Sequence, residues 1–271
     1  MTYKMFVSDL DGTLLDDNHK ISKENIEAIK KLEEKGIKFV IATGRTKFIL
    51  EDILEKVDYK MPLIWSNGSA VSDIQGKILY TEEISVKVAR EVIALSRNYN
   101  VDYMIHTLEE IIGESSEGRI QGLQDYNDTV KEEYKIPLKA DKFLYDHLEK
   151  YNILKISLSA ENRKQLEEFQ NIIKHNIKQV NAVFSHPTLL DINATNSSKG
   201  AAVLEIAAQY NIAPHEIIAI GDNENDISML KVCGLPLTLD NARDSVKAFA
   251  KHVTRDNNSS GVADAIERFV L

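Results

Sequence analysis

The chain has 271 residues, of which 43% are hydrophobic and 28% are charged, with one cysteine and a formal net charge of −9 at pH 7. These proportions are typical of globular proteins and exclude a disordered, collagen-like or coiled-coil chain. The single cysteine, Cys233, excludes an intrachain disulfide framework and a cysteine-rich zinc site. The negative net charge argues against a nucleic-acid-binding surface, because such surfaces neutralise phosphates with lysine and arginine.

The amino-terminal segment does not have the apolar run of a signal peptide, since Lys4 and Asp9 interrupt it. The longest apolar runs, such as Ile217–Ile220, are far too short to cross a bilayer. We therefore expect a cytoplasmic protein that binds neither membranes nor nucleic acid and is a monomer or a small homo-oligomer.

The first part of the chain alternates short apolar runs with helical periodicity. The predicted elements are a strand at Met5-Phe6-Val7, a helix capped by Ser22 and closed by Gly36, a strand at Ile37–Ala42, a helix at Phe48–Val57, a strand at Leu63–Trp65 and a hairpin over residues 70–81. Apolar strands that alternate with amphipathic helices indicate a parallel sheet covered on both faces.

The middle of the chain has a different pattern, in which strand pairs accompany two helices. The predicted elements are a helix around Val88–Leu95, strands at Tyr103–Ile105 and Glu110–Gly113, a polar helix around Gln121–Tyr134, a strand at Ile153–Leu158, a helix at Glu161–Lys174 and strands at Val180–Phe184 and Leu189–Ile192. After Ser198 the first pattern returns, with a helix, strands at Ile217–Ile220 and Leu235–Leu239 and two terminal helices. We predict a core of residues 1–81 and 192–271, interrupted by an α+β insert of residues 82–191.

Polar clusters follow three of the predicted core strands. Asp9 and Asp11 stand two residues apart after the first strand, so one side chain and one backbone carbonyl could converge on a divalent cation such as Mg²⁺. A solvated acidic turn is the alternative for an isolated Asp-x-Asp-Gly. Because ligands of open parallel sheets bind at the carboxyl ends of the strands, this is the expected location of a site.

The second cluster is Thr43-Gly44-Arg45, where a hydroxyl and backbone N–H groups at a strand-to-helix turn could bind an anion. The third includes Asp222 and Asp226, after the Ile217–Ile220 strand; Asp222 could complete a metal shell and Asp226 could orient it. In the sequence between the second and third clusters, Lys199 begins a predicted helix, and its ammonium could screen a bound phosphate from the carboxylates. Helix capping and surface exposure are the alternative readings.

The order of these four features resembles the four motifs of the haloacid dehalogenase superfamily of phosphotransferases. Further segments resemble its Cof-type phosphatases, which are subfamily IIB members with a C2B cap: Ala42-Thr43-Gly44-Arg45, Ser66-Asn67-Gly68, the run from Gly221 to Leu230, Asn241-Ala242 and Gly261-Val262-Ala263. The resemblance implies a Rossmann-like core with a parallel sheet and an inserted α+β cap that selects the substrate.

The resemblance also implies a role for each matching residue. Asp9 would be the nucleophile and Asp11 the general acid/base, and Mg²⁺ would be held by Asp9, by the Asp11 carbonyl and by Asp222. Thr43, Lys199 and Asn225 would contact the phosphoryl group. Asp226 would orient the loop, and Gly44, Arg45 and Asn67 would be contacts on the phosphate or cap side.

The implied activity is Mg²⁺-dependent hydrolysis of small phosphorylated metabolites, with sugar phosphates as the favoured substrates and an aspartyl-phosphate as intermediate. Two alternatives stay open: a phosphomutase of hexose phosphates, and a non-catalytic sugar-phosphate-binding protein.

Outside the motifs, Cys233 and Trp65 are interpreted as core residues. His106 and His186 lack metal-ligand spacing and are interpreted as surface or hydrogen-bonded residues, with contact to substrate as the alternative.

Overall fold

The structure is a computed structural model that describes residues 3–55 and 60–271. By their internal contacts the residues divide into two compact units. The first unit comprises Met1–Gly44, Ile53–Tyr80 and Ser198–Leu271, and the second comprises Arg45–Asp52 and Thr81–Ser197. This grouping assigns residues 45–52, 81 and 192–197 to the second unit, whereas the sequence prediction assigned them to the core.

The regular elements of the described residues alternate along the chain. The strands are β1 Met5–Ser8, β2 Lys38–Ala42, β3 Leu63–Trp65, β4 Ala70–Ser72, β5 Ile78–Thr81, β6 Asp102–His106, β7 Ile111–Gly113, β8 Leu138–Ala140, β9 Lys155–Ser159, β10 Val180–His186, β11 Leu189–Ala194, β12 Ile217–Ile220, β13 Leu235–Leu239 and β14 His252–Thr254. The helices are α1 Lys23–Glu34, α2 Lys47–Glu55, α3 Val86–Asn98, α4 Arg119–Asn127, α5 Arg163–Asn176, α6 Lys199–Gln209, α7 Ile227–Val232, α8 Asp244–Lys247 and α9 Gly261–Phe269.

The first unit is built on an eight-stranded sheet in the order β14-β13-β12-β1-β2-β3-β4-β5. The neighbours from β14 to β3 pair in parallel, and β3 pairs with β4 antiparallel. The four residues of β1 and the four of β12 are all buried, which explains why both strands read as unbroken apolar runs. The predicted α/β fold with a parallel sheet is confirmed.

The second unit holds a six-stranded sheet in the order β10-β11-β9-β6-β7-β8. Every neighbouring pair is antiparallel except β7 and β8, which are parallel. One face packs against α3 and α5 around Val92, Leu166 and Phe169. Strands and two helices thus bury a core of their own, as the sequence pattern of an α+β insert predicts.

The observed elements depart from the sequence prediction in a few places. The polar helix predicted around Gln121–Tyr134 ends as α4 at Asn127, and a single 3₁₀ turn follows at Glu132–Tyr134. Strands β8 and β14, with three residues each, were not predicted. Residues 56 and 57 of the helix predicted at Phe48–Val57 lie outside the described residues. In the described part of the chain, no helix is long and apolar enough to span a membrane.

Two glycines in helices allow a matched test of this packing. A Cβ on Gly200 in α6 would lie 2.3 Å from the carbonyl oxygen of Ser228, whereas a Cβ on Gly122 in α4 would meet nothing within 4 Å. Gly200→Ala should lower the free energy of unfolding by about 2 to 3 kcal/mol, because α6 and α7 must move apart. Gly122→Ala should raise it by about 0.5 to 1 kcal/mol through helix propensity. Urea unfolding measures both, and equal effects of the two substitutions would contradict the close approach.

Candidate active site

The site lies where three neighbouring parallel strands end. Because β12, β1 and β2 are adjacent, their carboxyl ends meet at one edge of the sheet. Asp9 directly follows β1, Thr43 directly follows β2, and the loop that begins at Gly221 follows β12. The Asp9 N–H donates to the carbonyl of Ile220 at 3.0 Å, which extends the pairing of β1 and β12 by one hydrogen bond.

Lys199 reaches this edge from the first turn of α6. The Ser198 side chain caps that helix by accepting a hydrogen bond from the N–H of Ala201. The Lys199 side chain is 0% exposed, and its Nζ lies 2.5 Å from Asp9 Oδ1 and 2.5 Å from Asp226 Oδ1. One buried ammonium thus bridges two carboxylates that stand more than 200 residues apart in the sequence.

The carboxylate of Asp226 accepts three hydrogen bonds inside the protein. Its Oδ1 accepts the Lys199 hydrogen bond, and its Oδ2 accepts from the N–H groups of Asp222 and Asn223 at 3.0 and 2.9 Å. Hydrogen bonds of this kind, from a carboxylate to backbone N–H groups, are strong and geometrically specific. Asp226 therefore holds the 221–226 loop in place, and its role in orienting the metal shell stays a prediction.

Asp222 is held by contacts with the loop that follows β1. Thr13 Oγ1 donates to Asp222 Oδ1 at 2.8 Å. Gly12 has a φ of +74°, and a Cβ there would lie 2.7 Å from Asp222 Oδ2. Only glycine combines that backbone conformation with that clearance, so Gly12 lets the two acidic loops approach each other.

The carboxylates of the site repel one another. Burial first, and then the negative charge of Asp226, raises the pKa of Asp9 well above its usual value, although Lys199 opposes this shift. Burial and the charge of Asp226 raise the pKa of Asp222 to about 7. Burial alone would lower the pKa of Lys199, but the charges of Asp226 and Asp9 outweigh it and raise that pKa. A single ammonium therefore does not balance the negative charge.

The donor chemistry of the site fits a hard divalent cation. Asp9, Asp222 and Asp226 each offer a carboxylate oxygen, and these three atoms lie within 4.8 Å of one another. Mg²⁺ prefers such oxygen ligands, and its charge would offset the repulsion that raises the two pKa values. Because the Asp226 oxygens already accept three hydrogen bonds, we expect Asp9 and Asp222 to supply the carboxylate ligands. The Asp11 carbonyl stays a predicted ligand, as does the acid/base role of its side chain.

A left-handed turn links Thr43 to Asn225. Ser66, Asn67 and Gly68 follow β3 with φ values of 50°, 58° and 95°. The Asn67 N–H donates to the carbonyl of Thr43 at 3.0 Å, and its Oδ1 accepts from Asn225 Nδ2 at 3.0 Å. Three of these residues are buried, with exposed fractions of 1% for Thr43, 3% for Asn67 and 9% for Asn225. Asn67 thus ties two of the expected phosphate contacts to each other.

The remaining two phosphate-side residues are divided between the units. Gly44 follows Thr43 and ends the first segment of the first unit. Arg45 begins the segment 45–52 of the second unit and is half-buried. The contact of either residue with a phosphoryl group stays a prediction.

Sequence reasoning did not assign a role to three residues that support the acidic loops. The hydrogen bond of Thr13 to Asp222 was not predicted. Asn241 Nδ2 donates to the Gly12 carbonyl at 2.8 Å, and Thr238 Oγ1 donates to the Gly221 carbonyl at 2.7 Å. For the Asn241 contact the sequence did offer a signal, since the Asn241-Ala242 pair is part of the resemblance to the family. Thr238 lies inside β13, where the sequence carries no such signal.

Comparisons with known proteins agree with this geometry. The family model described as "haloacid dehalogenase-like hydrolase" matches residues 6–266. The chain is 30% identical to the 5-amino-6-(5-phospho-D-ribitylamino)uracil phosphatase YcsE of Bacillus subtilis, over 99% of this chain and 96% of that protein. It is 26% identical to the pyridoxal phosphate phosphatase YbhA of Escherichia coli, over 98% of each.

A similar fold is found in a solved haloacid dehalogenase-like hydrolase from B. subtilis. The TM-score is 0.87 at 27% identity, over 98% of this chain and 99% of that one. The resemblance inferred from the motifs is thereby confirmed along nearly the whole chain.

The repulsion at Asp222 predicts a more stable variant. Since burial and Asp226 raise the pKa of Asp222 to about 7, its ionised form is disfavoured in the folded protein relative to the unfolded chain. Asp222→Asn removes that charge and keeps an oxygen for Thr13. At pH 8 without divalent cations it should raise the free energy of unfolding by about 1 to 3 kcal/mol. Urea unfolding tests this, with Asp240→Asn, at an exposed position, as the control. A loss of stability in Asp222→Asn would contradict the repulsion.

The turn at Asn67 predicts that two substitutions there lower the stability of the fold by different amounts. Asn67→Gly keeps the left-handed backbone and removes the bond to Asn225, so it should destabilise the fold by about 1 kcal/mol. Asn67→Ala removes the same bond and also forces an alanine into a left-handed conformation, so it should destabilise the fold by about a further 1 to 2 kcal/mol. Chemical unfolding of the two variants measures the difference. Equal stabilities would show that the backbone of this turn is unstrained.

Proposed function

Because this chain belongs to the haloacid dehalogenase-like hydrolases and its relatives are named phosphatases, we propose that it hydrolyses sugar phosphates with Asp9 as nucleophile and Mg²⁺ as cofactor. The observation that carries the proposal is the buried contact of Lys199 with both Asp9 and Asp226, beside Asp222 at one sheet edge. A nucleophilic carboxylate, a fixed cation and a candidate metal site are thus assembled within a few ångströms of one another.

Asp9 carries the covalent step. Its carboxylate oxygen attacks phosphorus and forms an aspartyl-phosphate while the bond from phosphorus to the leaving oxygen breaks. Water then attacks this intermediate and releases inorganic phosphate, which restores the carboxylate. A covalent intermediate divides one difficult displacement into two easier ones.

Asp11 manages the proton in both steps. It stands two residues after Asp9, and its charge is close enough to raise the pKa of the Asp9 carboxyl. In the first step Asp11 gives a proton to the leaving alkoxide, and in the second it accepts a proton from the attacking water. A positioned acid/base group of this kind contributes roughly 10²- to 10⁴-fold.

The approach of two anions requires positive charge and hydrogen-bond donors. Lys199 offsets part of the repulsion between Asp9 and a phosphate dianion, because its ammonium is buried and fixed. Thr43 and Asn225 supply a hydroxyl and an amide that bind phosphoryl oxygens. Mg²⁺, when bound by Asp9 and Asp222, supplies further charge neutralisation at the transferring group.

The relatives support a small phosphorylated metabolite as the substrate. Their names give a phosphoribitylamino-uracil and pyridoxal phosphate, which are both small and differ in the group that bears the phosphate. Within this class of metabolites we propose a sugar phosphate as the substrate. We propose that residues of the predicted insert 82–191 select it. Lids and inserted domains commonly exclude water and choose the leaving group in this way.

Loss of the nucleophile gives the direct test. Asp9→Asn should lower the rate of phosphate release from 4-nitrophenyl phosphate by about 10³-fold or more, because the amide cannot attack phosphorus. Asp240→Asn, which changes an exposed carboxylate of the same unit, serves as the matched control and should retain activity. Chelation with EDTA should abolish turnover of the wild-type protein, and added Mg²⁺ should restore it. Turnover retained in Asp9→Asn would remove Asp9 from the nucleophile role.

The same assay separates the competing activities. Release of free phosphate from hexose phosphates supports the phosphatase. Isomerised hexose phosphate without phosphate release would instead identify a mutase, and absence of turnover over a panel of sugar, nucleotide and cofactor phosphates would leave a binding protein.

A further inference from the structure

Asp11, the proposed acid/base residue, lies between a fixed residue and a flexible one. Leu10 before it is fully buried, and its carbonyl accepts from the N–H groups of Leu14 and Leu15 at 3.0 and 2.9 Å. Gly12 after it has a φ of +74°, and the backbone of a glycine is less restricted by its own atoms than that of any other residue. The orientation of Asp11 therefore depends on contacts that hold Gly12 from outside.

Asn241 provides such a contact from the turn that follows β13. Its Nδ2 donates to the Gly12 carbonyl at 2.8 Å, and its Oδ1 accepts from the N–H of Asn257 at 3.1 Å. Both polar atoms of this side chain are thus used, although the residue is exposed. A side-chain amide can donate to one backbone segment and accept from another at the same time, so the residue type suits this bridge.

Asn257 holds the same loop at a second point. It is 5% exposed, and its Nδ2 donates to the Leu15 carbonyl at 3.0 Å and to Asp17 Oδ1 at 3.1 Å. Because its N–H also binds Asn241, the two asparagines form one bridge that reaches the loop at residues 12 and 15. The buried Asn257 thus gives the exposed side chain of Asn241 a fixed partner.

The turn that carries Asn241 also contacts the second acidic loop. The N–H of Arg243 donates to the Asp222 carbonyl at 3.3 Å, and Thr13 Oγ1 donates to Asp222 Oδ1 at 2.8 Å. Together with the bond from Asn241 to Gly12, these bonds close a ring of contacts through both acidic loops and the turn. All of these residues belong to the first unit. In such a network each bond helps to fix the others.

A contribution to stability alone is the alternative role for Asn241. An exposed hydrogen bond adds little to the free energy of unfolding, because water can replace either partner. The bond from Asn241 is of this exposed kind, and its acceptor belongs to the residue next to Asp11. Its main effect is therefore on where the Gly12 peptide lies, and less on how stable the fold is.

We infer that Asn241 is a positioning residue, which holds the Gly12 peptide so that the Asp11 side chain can give its proton to the leaving oxygen. The inference rests on the proposed function, in which Asp11 is the acid for that oxygen. An oxygen of Asp9 bonds to phosphorus, the bond from phosphorus to the leaving oxygen breaks with both electrons staying on that oxygen, and the proton of the Asp11 carboxyl moves to it. Asn241 itself touches neither the substrate nor the reacting atoms.

The basicity of the leaving group reveals an effect on proton transfer. The 4-nitrophenolate ion is stable and leaves with little need of a proton, whereas phenolate is more basic and gains more from one. Phenyl phosphate and 4-nitrophenyl phosphate are otherwise similar in shape. Their kcat/KM values report the steps up to loss of the leaving group, so the later attack of water on the aspartyl-phosphate does not enter.

Asn241→Leu nearly keeps the shape of the side chain and removes both hydrogen bonds. It should lower kcat/KM for phenyl phosphate by about 10-fold or more, and for 4-nitrophenyl phosphate by no more than about threefold. Asn241→Gln keeps the amide at an exposed position and should recover part of the loss. Asn258→Leu is the matched control, because it removes the bonds of an exposed asparagine to Asp17 in the same loop. This control should leave the ratio of the two kcat/KM values unchanged.

Hydrogen exchange tests the position of the loop without turnover. In Asn241→Leu the backbone amides of residues 12–15 should exchange about 5- to 10-fold faster than in the wild-type protein, because the loop opens more often once a hydrogen bond is lost. The amides of β1 should exchange as before. Unchanged exchange at residues 12–15 would overturn the inference, and so would an equal effect of Asn241→Leu and Asn258→Leu on the ratio of the two substrates.

Asp11→Asn separates this inference from the proposed function. It should lower kcat/KM more for phenyl phosphate than for 4-nitrophenyl phosphate, and equal losses would remove Asp11 from the acid role. If Asp11→Asn gives unequal losses while Asn241→Leu gives equal losses or none, the proposed function stands and the inference fails. If the wild-type protein hydrolyses neither compound, the proposed function fails, and the exchange measurement still decides whether Asn241 holds the loop.

Discussion

The contact of the Lys199 ammonium with Asp9 and Asp226 is the interaction on which the site depends. Buried carboxylates at this separation would repel one another and take up protons, as the raised pKa values of Asp9 and Asp222 indicate. A buried lysine contacts two of them, Asp9 and Asp226, and offsets part of this repulsion. The remaining negative charge creates a demand for a divalent cation. The arrangement that would bind metal and phosphate is therefore also the one that strains the unliganded fold.

The order of the strands is what makes this contact possible. Placing β1 between β12 and β2 puts three loops at one edge, and α6 adds Lys199 from a fourth segment. Small local features then refine the geometry: Gly12 allows Asp222 to approach, and the turn at Asn67 joins Thr43 to Asn225. A parallel sheet thus turns a dispersed set of polar residues into a compact centre.

Sequence patterns were sufficient for the parts of this design that depend on local chemistry. That Asp9 and Asp222 lie close together could be predicted, because polar residues that end apolar strands of a parallel sheet meet at its edge. Lys199 begins a helix, and only the resemblance in the order of the motifs indicated its place in the site. The supporting contacts of Thr238 and Asn241 could not be predicted, since they join backbone carbonyls to side chains in distant loops and leave no periodic trace. Strands β8 and β14 could not be predicted for a related reason. Each has three residues, which is too short for a hydrophobic periodicity, and each is a strand because it pairs with β7 or β13. For His106, which is 4% exposed and has no hydrogen-bond partner at either ring nitrogen among residues 3–55 and 60–271, the interpretation as a surface or hydrogen-bonded residue was wrong, because the exposure and pairing of a side chain depend on the tertiary fold.

The position of β1 also has a consequence for biosynthesis. Lys199 and Asp9 are separated by 190 positions, and β12, the neighbour of β1 on one side, is still further along the chain. A nascent polypeptide that has emerged from the ribosome only as far as β11 would leave one hydrogen-bonding edge of β1 unpaired, and such edges recruit other strands. Completion of the central sheet must therefore wait for the last quarter of translation, and until then β1 keeps an edge that can pair with a strand of another chain.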